Sequence, residues 1–385
     1  MERKNFAQRR FLPLVSALLF FCLAFLPLST SAQEEPEIDL LAALVSSASY
    51  SDDGGLLVRS WLKETAWDFQ SRSTSTRAAE GRVHLARKTL ADGRRIAVLS
   101  FPGTENKKDI EVDLRLSAVP FGGTSPSEFT AVAAGSDTAD LPHVHKGFND
   151  FVMAALFTEE MPEFGNRTAG EALADELKEH PEEVLYLTGH SLGGAAAVLA
   201  AARLSDMGVP AEQLVVTTFG APAVGNAAFV RRYEGRFTLH RVVMSGDPMK
   251  DVLAAPLGFQ QFGERVPWSP ARSVAKFPHA MIVYVDAAIR RLYDAYGGDN
   301  AFLFLMGTPN RAEGRMLYVP PIETALDEAL AEDAPYMTAV LRDALHVHNA
   351  AVVFAAGSGG LSEDGLLSGL HEHLVAARAA GAEQM

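Results

Sequence analysis

A glycine-rich turn between two apolar segments constrains this chain more than any other feature of its sequence. The run Val184–Thr188 is short and apolar, as in a buried strand, and the alanine-rich run Ala195–Leu204 is typical of a helix. Between them, residues 189–193 read Gly-His-Ser-Leu-Gly. Because glycine lacks a Cβ atom, neighbouring backbone can pass close to a turn of this kind. We therefore predict a strand, a tight turn that presents Ser191, and a helix.

In this context the Gly-x-Ser-x-Gly pattern is typical of a nucleophilic serine. The N-terminus of the following helix would favour negative charge at the turn. A serine hydroxyl is a weak nucleophile until a histidine accepts its proton, and an acidic side chain must hold that histidine. We therefore expect an acid and then a histidine after Ser191 along the chain. The alternative is a glycine-rich turn with an inert serine.

Strand-like and helical segments alternate through the middle of the chain. Gly170–His180 is predicted to be helical, and Leu214–Phe219 and Phe237–Met244 are predicted to be buried strands. This alternation favours an α/β fold, a mostly parallel sheet with helices on both faces. Upstream, Val83–Phe101 contains two strand-like runs around an Asp-Gly turn and predicts a β-hairpin.

The flanking segments have less regular patterns. The apolar segment Ile38–Tyr50 predicts a helix, the polar segment Ser71–Glu80 predicts a loop, and Val119–Leu141, rich in Gly, Ser, Thr and Pro, predicts an exposed excursion. Helical patterns return near the C-terminus. We therefore assign residues 33–290 to the α/β domain and residues 291–385 to a mainly helical C-terminal extension.

The N-terminus has the three parts of a secretory signal. Four basic residues within the first ten precede the uncharged run Phe11–Leu28, and small residues follow up to Ala32. We therefore expect residues 1–32 to be a signal peptide that directs export to the periplasm or the extracellular space. The alternative is a retained anchor formed by residues 11–28, because 18 uncharged residues are long enough to span a bilayer.

Charge and cysteine content exclude several classes of protein. The chain has 48 acidic and 34 basic side chains and a net charge of −14, which argues against nucleic-acid binding. Cys22 is the only cysteine, so a disulfide scaffold is excluded.

His371 and His373 stand two apart in a helical pattern and would point to different faces of the helix. We therefore do not expect this pair to bind a metal, and catalysis by a serine, a histidine and an acid requires neither a metal nor a cofactor.

Several segments resemble the class 3 lipases, the α/β-hydrolase family that contains the fungal triacylglycerol lipases and bacterial and plant relatives. In chain order they are Phe101–Glu105 (Phe-Pro-Gly-Thr-Glu), Asp109-Ile110 with Asp113-Leu114, Val144–Phe148 (Val-His-Lys-Gly-Phe), residues 189–194 (Gly-His-Ser-Leu-Gly-Gly) and Thr218–Asn226 (Thr-Phe-Gly-Ala-Pro-Ala-Val-Gly-Asn). Ile110 stands where the family usually has tryptophan. The resemblance spans roughly residues 40–290 and implies an α/β-hydrolase fold.

This resemblance also implies the partners of Ser191. Asp247, in Ser-Gly-Asp-Pro-Met after a predicted strand, matches the triad acid, with Asp251 as the fallback. The segment containing His279, Pro-His-Ala-Met-Ile-Val-Tyr, resembles the histidine segment of bacterial members and implies His279 as the base. His348, beyond a long insertion, is the alternative.

The resemblance further implies an oxyanion hole. Its donors would be the backbone N–H of Thr104 and that of Leu192, the residue directly after the nucleophile. His145 and His190 belong to the matching motifs and need no chemical role.

The expected function is that of a secreted or periplasmic serine carboxylester hydrolase, a lipase or esterase. Its substrate would be an acylglycerol or another ester, with transient contact with a lipid surface. Fungal relatives have an apolar lid after the oxyanion segment, but residues 105–111 are strongly charged here, and residues 121–141 could form a cover instead. The alternatives are a phospholipase A, another serine acyl hydrolase such as a peptidase or thioesterase, and a non-catalytic binding protein.

Overall fold

The described residues fall into several stretches of the chain. The computed structural model describes residues 36–51, 67–89, 95–105, 117–135, 140–249 and 257–270, and shorter pieces between 55 and 62, at 253 and between 278 and 291. The predicted signal or anchor segment, Asp251, His348 and the predicted C-terminal extension after residue 291 lie outside them. The chain divides into a terminal unit, Met1–Trp67 with Ser269–Met385, and a sheet unit, Asp68–Trp268.

The terminal unit contains a buried helix, α1 (Pro36–Ala48), which confirms the helix predicted there. Every side chain described in α1 is buried, including those of the polar residues Asp39, Ser46 and Ser47. Arg59 Nη1 donates hydrogen bonds to the carbonyl oxygens of Ala48 at 2.7 Å and Tyr50 at 2.8 Å. These bonds satisfy carbonyls at the end of α1 that have no partner within the helix. Ser46 Oγ lies 3.5 Å from Met281 Sδ within the same unit.

The sheet unit contains the segments that resemble the lipases. Its helices and strands, in chain order, are β1 (Asp68–Ser75), β2 (Glu80–Thr89), β3 (Arg95–Phe101), β4 (Ala118–Pro120), α2 (Pro126–Ala133), β5 (His143–His145), α3 (Lys146–Val152), β6 (Glu160–Met161), β7 (Arg167–Thr168), α4 (Ala169–Glu179), β8 (Leu185–His190), α5 (Leu192–Asp206), β9 (Leu214–Phe219), α6 (Ala227–Tyr233), β10 (Thr238–Met244) and β11 (Glu264–Trp268). The antiparallel strands of the predicted hairpin, the helix near Gly170–His180 and the strands of the middle region are thus confirmed, whereas the predicted Asp-Gly turn, within residues 90–94, lies outside the described residues.

A seven-stranded sheet organises this unit in the order β1-β2-β3-β8-β9-β10-β11. β1, β2 and β3 pair antiparallel, whereas β3, β8, β9, β10 and β11 form consecutive parallel pairs. This is the mostly parallel sheet that the sequence predicts, and the unit has an α/β-hydrolase fold. The parallel strands all end at one edge, the C-terminal edge, where open α/β sheets bind their ligands.

The polar segment predicted as a loop is partly a strand, so that prediction was wrong for Ser71–Ser75. These residues belong to β1, which pairs along its whole length with β2. β1 lies at the edge of the sheet formed by the described strands, none of which pairs with its outer side. Polar side chains suit an edge strand because they oppose further strand pairing. Backbone pairing, not an apolar pattern, therefore defines β1.

The predicted exposed excursion is instead anchored in the core. Phe121 and Phe129 are 2% and 0% exposed, and α2 follows the first of them. The guanidinium carbon of Arg203, on α5, lies 3.6 Å from the ring centroid of Phe121 and 4.1 Å from that of Phe129. Arg203 also donates to Gly122 O and to Asn149 Oδ1 at 2.7 and 2.9 Å. Because most of the segment is polar, its composition did not indicate that Phe121 and Phe129 anchor it in the core.

The helix α5 packs directly on the sheet. It contacts β8, β9 and β3, and all its residues from Leu192 to Ser205 are buried. Its run of alanines and glycines lets its backbone approach the strands closely, which fixes its N-terminus at the C-terminal edge. Among the described residues, no helix has both the length and the apolar character needed to cross a membrane.

Candidate active site

Ser191 occupies a strained turn between β8 and α5. Its backbone angles are φ 57° and ψ −125°. A non-glycine residue with positive φ is uncommon, and Asn166 is the only other one among the described residues. The Ser191 N–H donates to Phe219 O at 2.9 Å, and its carbonyl accepts from Ala195 N at 3.1 Å. The predicted strand, tight turn and helix are therefore confirmed.

Two glycines permit this turn because no side chain fits at their positions. A Cβ atom on Gly189 would lie 2.3 Å from the carbonyl carbon and oxygen of Gly193. A Cβ atom on Gly193 would lie 2.1 Å from Phe101 O and 2.7 Å from Pro102 O. Real Cβ atoms essentially never approach other atoms so closely, so the glycines bring three backbone segments into contact.

The last of these contacts places the predicted oxyanion segment beside the serine turn. Phe101 ends β3 and pairs in register with Gly189 of β8. The carbonyl groups of Phe101 and Pro102 then lie against Gly193, and Thr104 comes two residues after Pro102. Leu192 is the first residue of α5, and the first four N–H groups of a helix have no partner within it. The structure thus brings Thr104 and Leu192 to the same edge as Ser191.

Asp247 lies at this edge as well. It follows β10 and is 3% exposed. Its N–H donates to Met244 O at 3.1 Å, and its Oδ1 accepts from the N–H of Met249 at 2.9 Å. Backbone hydrogen bonds therefore fix both the main chain and the carboxylate.

The sheet sets the spacing between Ser191 and Asp247. Ser191 follows β8 and Asp247 follows β10, with β9 between them. Neighbouring strands are about 4.8 Å apart, so the two backbones are separated by roughly 10 Å. A serine side chain, an imidazole and a carboxylate joined by hydrogen bonds of about 2.8 Å fill such a gap. The strand spacing therefore matches that of a serine, a histidine and an acid in a row.

His279 belongs to the terminal unit, so its role as the base stays a prediction. It is half-buried and precedes buried residues at Met281 and Val283–Val285. The other candidate, His348, and the fallback acid Asp251 lie outside the described residues. The structure thus places Ser191, Leu192, Thr104 and Asp247, the four predicted site residues of the sheet unit, at one edge of the sheet.

Two histidines of β5 have structural roles. His145 is fully buried, and its Nδ1 accepts the hydrogen bond of Phe148 N at 3.3 Å, which caps α3. His143 N donates to Asn226 Oδ1 at 3.1 Å, and the same oxygen caps α6 by accepting from Phe229 N at 2.9 Å. Asn226 therefore joins β5 to α6, a role that its sequence motif did not reveal.

Among the described residues, one group has the composition of a metal site: His180, Glu182 and Glu183. It precedes β8, whereas Ser191 follows that strand, so the group lies at the opposite end of the sheet from the serine. Glu183 forms an ion pair with Arg95. This group therefore has no part in the candidate site.

The chain is similar to proteins described as phospholipases and lipases. It is 30% identical to phospholipase A1-II 1 of Oryza sativa subsp. indica over 207 residues, which are 50% of this chain and 46% of that protein. It is 33% identical to the chloroplastic phospholipase A(1) DAD1 of Arabidopsis thaliana over 165 residues, 42% of this chain and 34% of that protein. The chain thus spans about half the length, or less, of these relatives.

Solved structures of fungal lipases are similar as well. A Rhizomucor miehei lipase propeptide complex has a TM-score of 0.46 and 22% identity, covering 62% of this chain and 68% of the other. The lipase from Rhizopus microsporus var. chinensis has a TM-score of 0.43 and 20% identity, covering 62% and 76%.

The family model described as Lipase (class 3) matches residues 98–255. This segment begins in β3 and contains the oxyanion segment, the serine turn and Asp247. Residues 98–255 of this chain belong to the class 3 lipase family.

Proposed function

We propose that this protein is an exported serine carboxylester hydrolase that cleaves acyl esters of lipids. The observation that carries the proposal is the strained backbone of Ser191, held against the end of β3 by the absence of a side chain at Gly193. Backbone strain of about 1–3 kcal/mol persists only where the surrounding structure enforces it, and it is concentrated at functional sites. An inert serine would not require it.

In the proposed first half-reaction, Ser191 attacks the ester carbonyl. His279 accepts the hydroxyl proton as Oγ forms the bond to carbon, and the Asp247 carboxylate holds the imidazole and stabilises its charged form. The imidazolium then gives the proton to the leaving alcohol as the carbon–oxygen bond breaks. The products are a free alcohol and an acyl-enzyme on Ser191.

In the second half-reaction, water releases the acid. His279 takes a proton from the water molecule as the water oxygen attacks the acyl carbon. The imidazolium then returns the proton to Ser191 Oγ as the bond between Oγ and the acyl carbon breaks, which releases the acid and restores the serine. In both halves the carbonyl oxygen becomes negatively charged, and the N–H groups of Thr104 and Leu192 are the proposed donors to it. Removing one such donor typically costs about 10²–10³ in kcat.

The proposed substrate class follows from the relatives, whose names are phospholipase A1 and lipase. Both names denote hydrolases of lipid carboxylic esters, so we propose a lipid acyl ester and transient contact with a lipid surface. Rates on emulsified triacylglycerol, on phosphatidylcholine vesicles and on soluble short-chain esters would distinguish a triacylglycerol lipase, a phospholipase A and an esterase.

Export is proposed from residues 1–32, whose basic, uncharged and small-residue parts follow the order of a signal peptide. N-terminal sequencing of the protein recovered after expression with its natural N-terminus tests this. A mature chain that begins at Gln33 supports export with cleavage. Recovery of the intact chain in the membrane fraction would favour the anchor formed by residues 11–28.

Hydrolysis of p-nitrophenyl butyrate tests the chemistry itself. We expect Ser191→Ala to remove nearly all activity, since loss of a triad serine costs about 10⁶ in kcat in a well-studied serine hydrolase. His279→Ala should be similarly inactive and His348→Ala fully active. The reverse outcome for the histidines would move the base to His348. Equal ester release by the wild type and Ser191→Ala would identify a non-catalytic binding protein.

A further inference from the structure

An ion pair holds the far end of the oxyanion segment. Arg82 Nη1, on β2, contacts Glu105 Oε2, and Glu105 is the residue directly after Thr104. Only 14% of the Arg82 side chain and 11% of the Glu105 side chain are exposed. A charge-assisted hydrogen bond with so little solvent around it is stronger and better oriented than a surface ion pair.

Arg82 is itself on rigid backbone. It pairs in register with Ser73 of β1. At the preceding residue, a Cβ atom on Gly81 would lie 2.2 Å from the backbone nitrogen of Ala155, so β2 is in close contact there with the helical turn that follows α3. The guanidinium therefore extends from a strand that is fixed by neighbours on its own sheet and by a helical turn.

The segment is thus anchored on both sides of Thr104. On the N-terminal side, Phe101 and Pro102 rest against Gly193. On the C-terminal side, Glu105 is paired with Arg82. A short peptide between two fixed points has few accessible backbone angles. The direction of the Thr104 N–H is therefore set by both anchors and not by the end of β3 alone.

We propose that Arg82 is a positioning residue, which through Glu105 holds the Thr104 N–H at the site where the oxyanion develops. This inference rests on the proposed function and adds to it a residue that does not touch substrate. Donors of this kind must lie about 2.7–3.1 Å from the oxyanion. A misplacement of about 1 Å can cost roughly 10²-fold in rate. Without its ion pair, the segment retains one anchor and Thr104 loses part of its alignment.

The kinetic signature of this role differs from that of a general loss of structure. The oxyanion exists only in the transition state and the tetrahedral intermediate, so a misdirected donor lowers kcat and kcat/KM together and leaves KM unchanged. We expect Arg82→Met and Glu105→Ala each to lower kcat about 10- to 100-fold, less than full removal of an oxyanion donor. Because both act through one contact, the double variant should be no worse than the poorer single variant.

Two further variants separate positioning from folding. Arg87→Met is the matched control, because Arg87 lies on the same strand and forms an ion pair with Glu176. It should retain kcat within about 2-fold, as expected for loss of a surface pair. Arg82→Lys keeps the charge and should recover most of the kcat lost in Arg82→Met.

The test measures kcat and KM on p-nitrophenyl butyrate, with Ser191→Ala measured alongside and thermal unfolding followed by circular dichroism. Lowered kcat with unchanged KM in folded Arg82→Met, and non-additivity in the double variant, support the proposal. If Arg82→Met does not fold, Glu105→Ala decides by the same kcat criterion. Wild-type kcat in folded Arg82→Met or Glu105→Ala, or losses that multiply in the double variant, would overturn the proposal. A wild type no more active than Ser191→Ala would instead refute the proposed function, and Arg82 would have no oxyanion donor to position.

Discussion

The strain at Ser191 predicts that the glycine variant of this residue is more stable than the alanine variant, although both variants are inactive. The angles φ 57° and ψ −125° are the mirror image of an ordinary extended conformation. Glycine has no Cβ atom and adopts such a conformation as readily as its mirror image, whereas serine and alanine do not. Ser191→Gly should therefore relieve strain that Ser191→Ala retains.

The size of this effect follows from two opposing contributions. Relief of an unfavourable backbone conformation is worth about 1–3 kcal/mol. Glycine also gives the unfolded chain more conformational freedom than alanine does, which costs about 0.5–1 kcal/mol. We therefore expect Ser191→Gly to be more stable than Ser191→Ala by about 1 kcal/mol. The comparison with alanine matters because both variants lack the hydroxyl group and its hydrogen bonds.

Urea denaturation followed by tryptophan fluorescence and circular dichroism measures this difference, provided that the slopes of the transitions agree between variants. Trp268 reports on the sheet unit, since it ends β11 and is 3% exposed. Asn166→Gly is the matched control: Asn166 also has a positive φ, 59°, but asparagine tolerates that region and we expect a smaller gain. A Ser191→Gly variant no more stable than Ser191→Ala would refute the argument that strain is stored at this residue.

Three further predictions concern packing and charge in the sheet unit. Gly193→Ala should lower the free energy of unfolding by about 1–3 kcal/mol and kcat by at least about 10²-fold, because its Cβ would lie 2.1 Å from Phe101 O and must displace the oxyanion segment. Arg203→Ala should cost about 2–5 kcal/mol in urea denaturation, because Arg203 is 1% exposed and fills the space between two aromatic rings. Hydrogen bonds from Lys178 and Arg167 lower the pKa of Asp175, so its contribution to stability is present above its unfolded pKa and is lost as the pH falls through its folded pKa. Asp175→Asn should therefore reduce the dependence of stability on pH in the acid range, by a small amount because these side chains are exposed.

Each of these predictions has a control and an opposing outcome. Gly122→Ala, whose Cβ would meet no atom closer than 3.6 Å, should leave kcat unchanged, and wild-type kcat in Gly193→Ala would contradict the packing argument. Arg232→Ala removes an arginine that is 41% exposed and should cost less than about 1 kcal/mol. A loss as small in Arg203→Ala would show that the buried guanidinium is replaceable. An identical acid unfolding profile in Asp175→Asn would exclude a role for its ion pairs.

Burial also lowers the pKa of Arg203 to about 10, which shows how much solvent this cation has lost. Its partners are a carbonyl oxygen, an amide oxygen and two aromatic faces. None of these contacts has a sequence signature, since they join Arg203 to residues as far away along the chain as Phe121, 82 positions earlier. Residues 119–141 were predicted to be exposed for this reason.

The local features of this chain were determined by the sequence alone. The turn at Ser191 requires glycines at fixed short spacing, and the strands of the parallel sheet are marked by apolar runs such as Leu214–Phe219. The hairpin of β2 and β3 was predicted from two strand-like runs around an Asp-Gly turn. These features can be recognised in the sequence because their physical causes, steric exclusion and local periodicity, act between residues that are close along the chain.

Other features were decided only by tertiary structure. β1 is a strand because β2 offers it backbone hydrogen bonds, although its side chains are polar. The ion pair of Arg82 with Glu105 forms because the pairing of β2 with β3 brings the segment after β3 close to β2, although the two residues are 23 positions apart. Asp247 could be matched to a family motif, but its separation from Ser191 is set by the sheet order, with one strand between them. Contacts between distant residues depend on how the elements pack, and one-dimensional patterns carry little information about that packing.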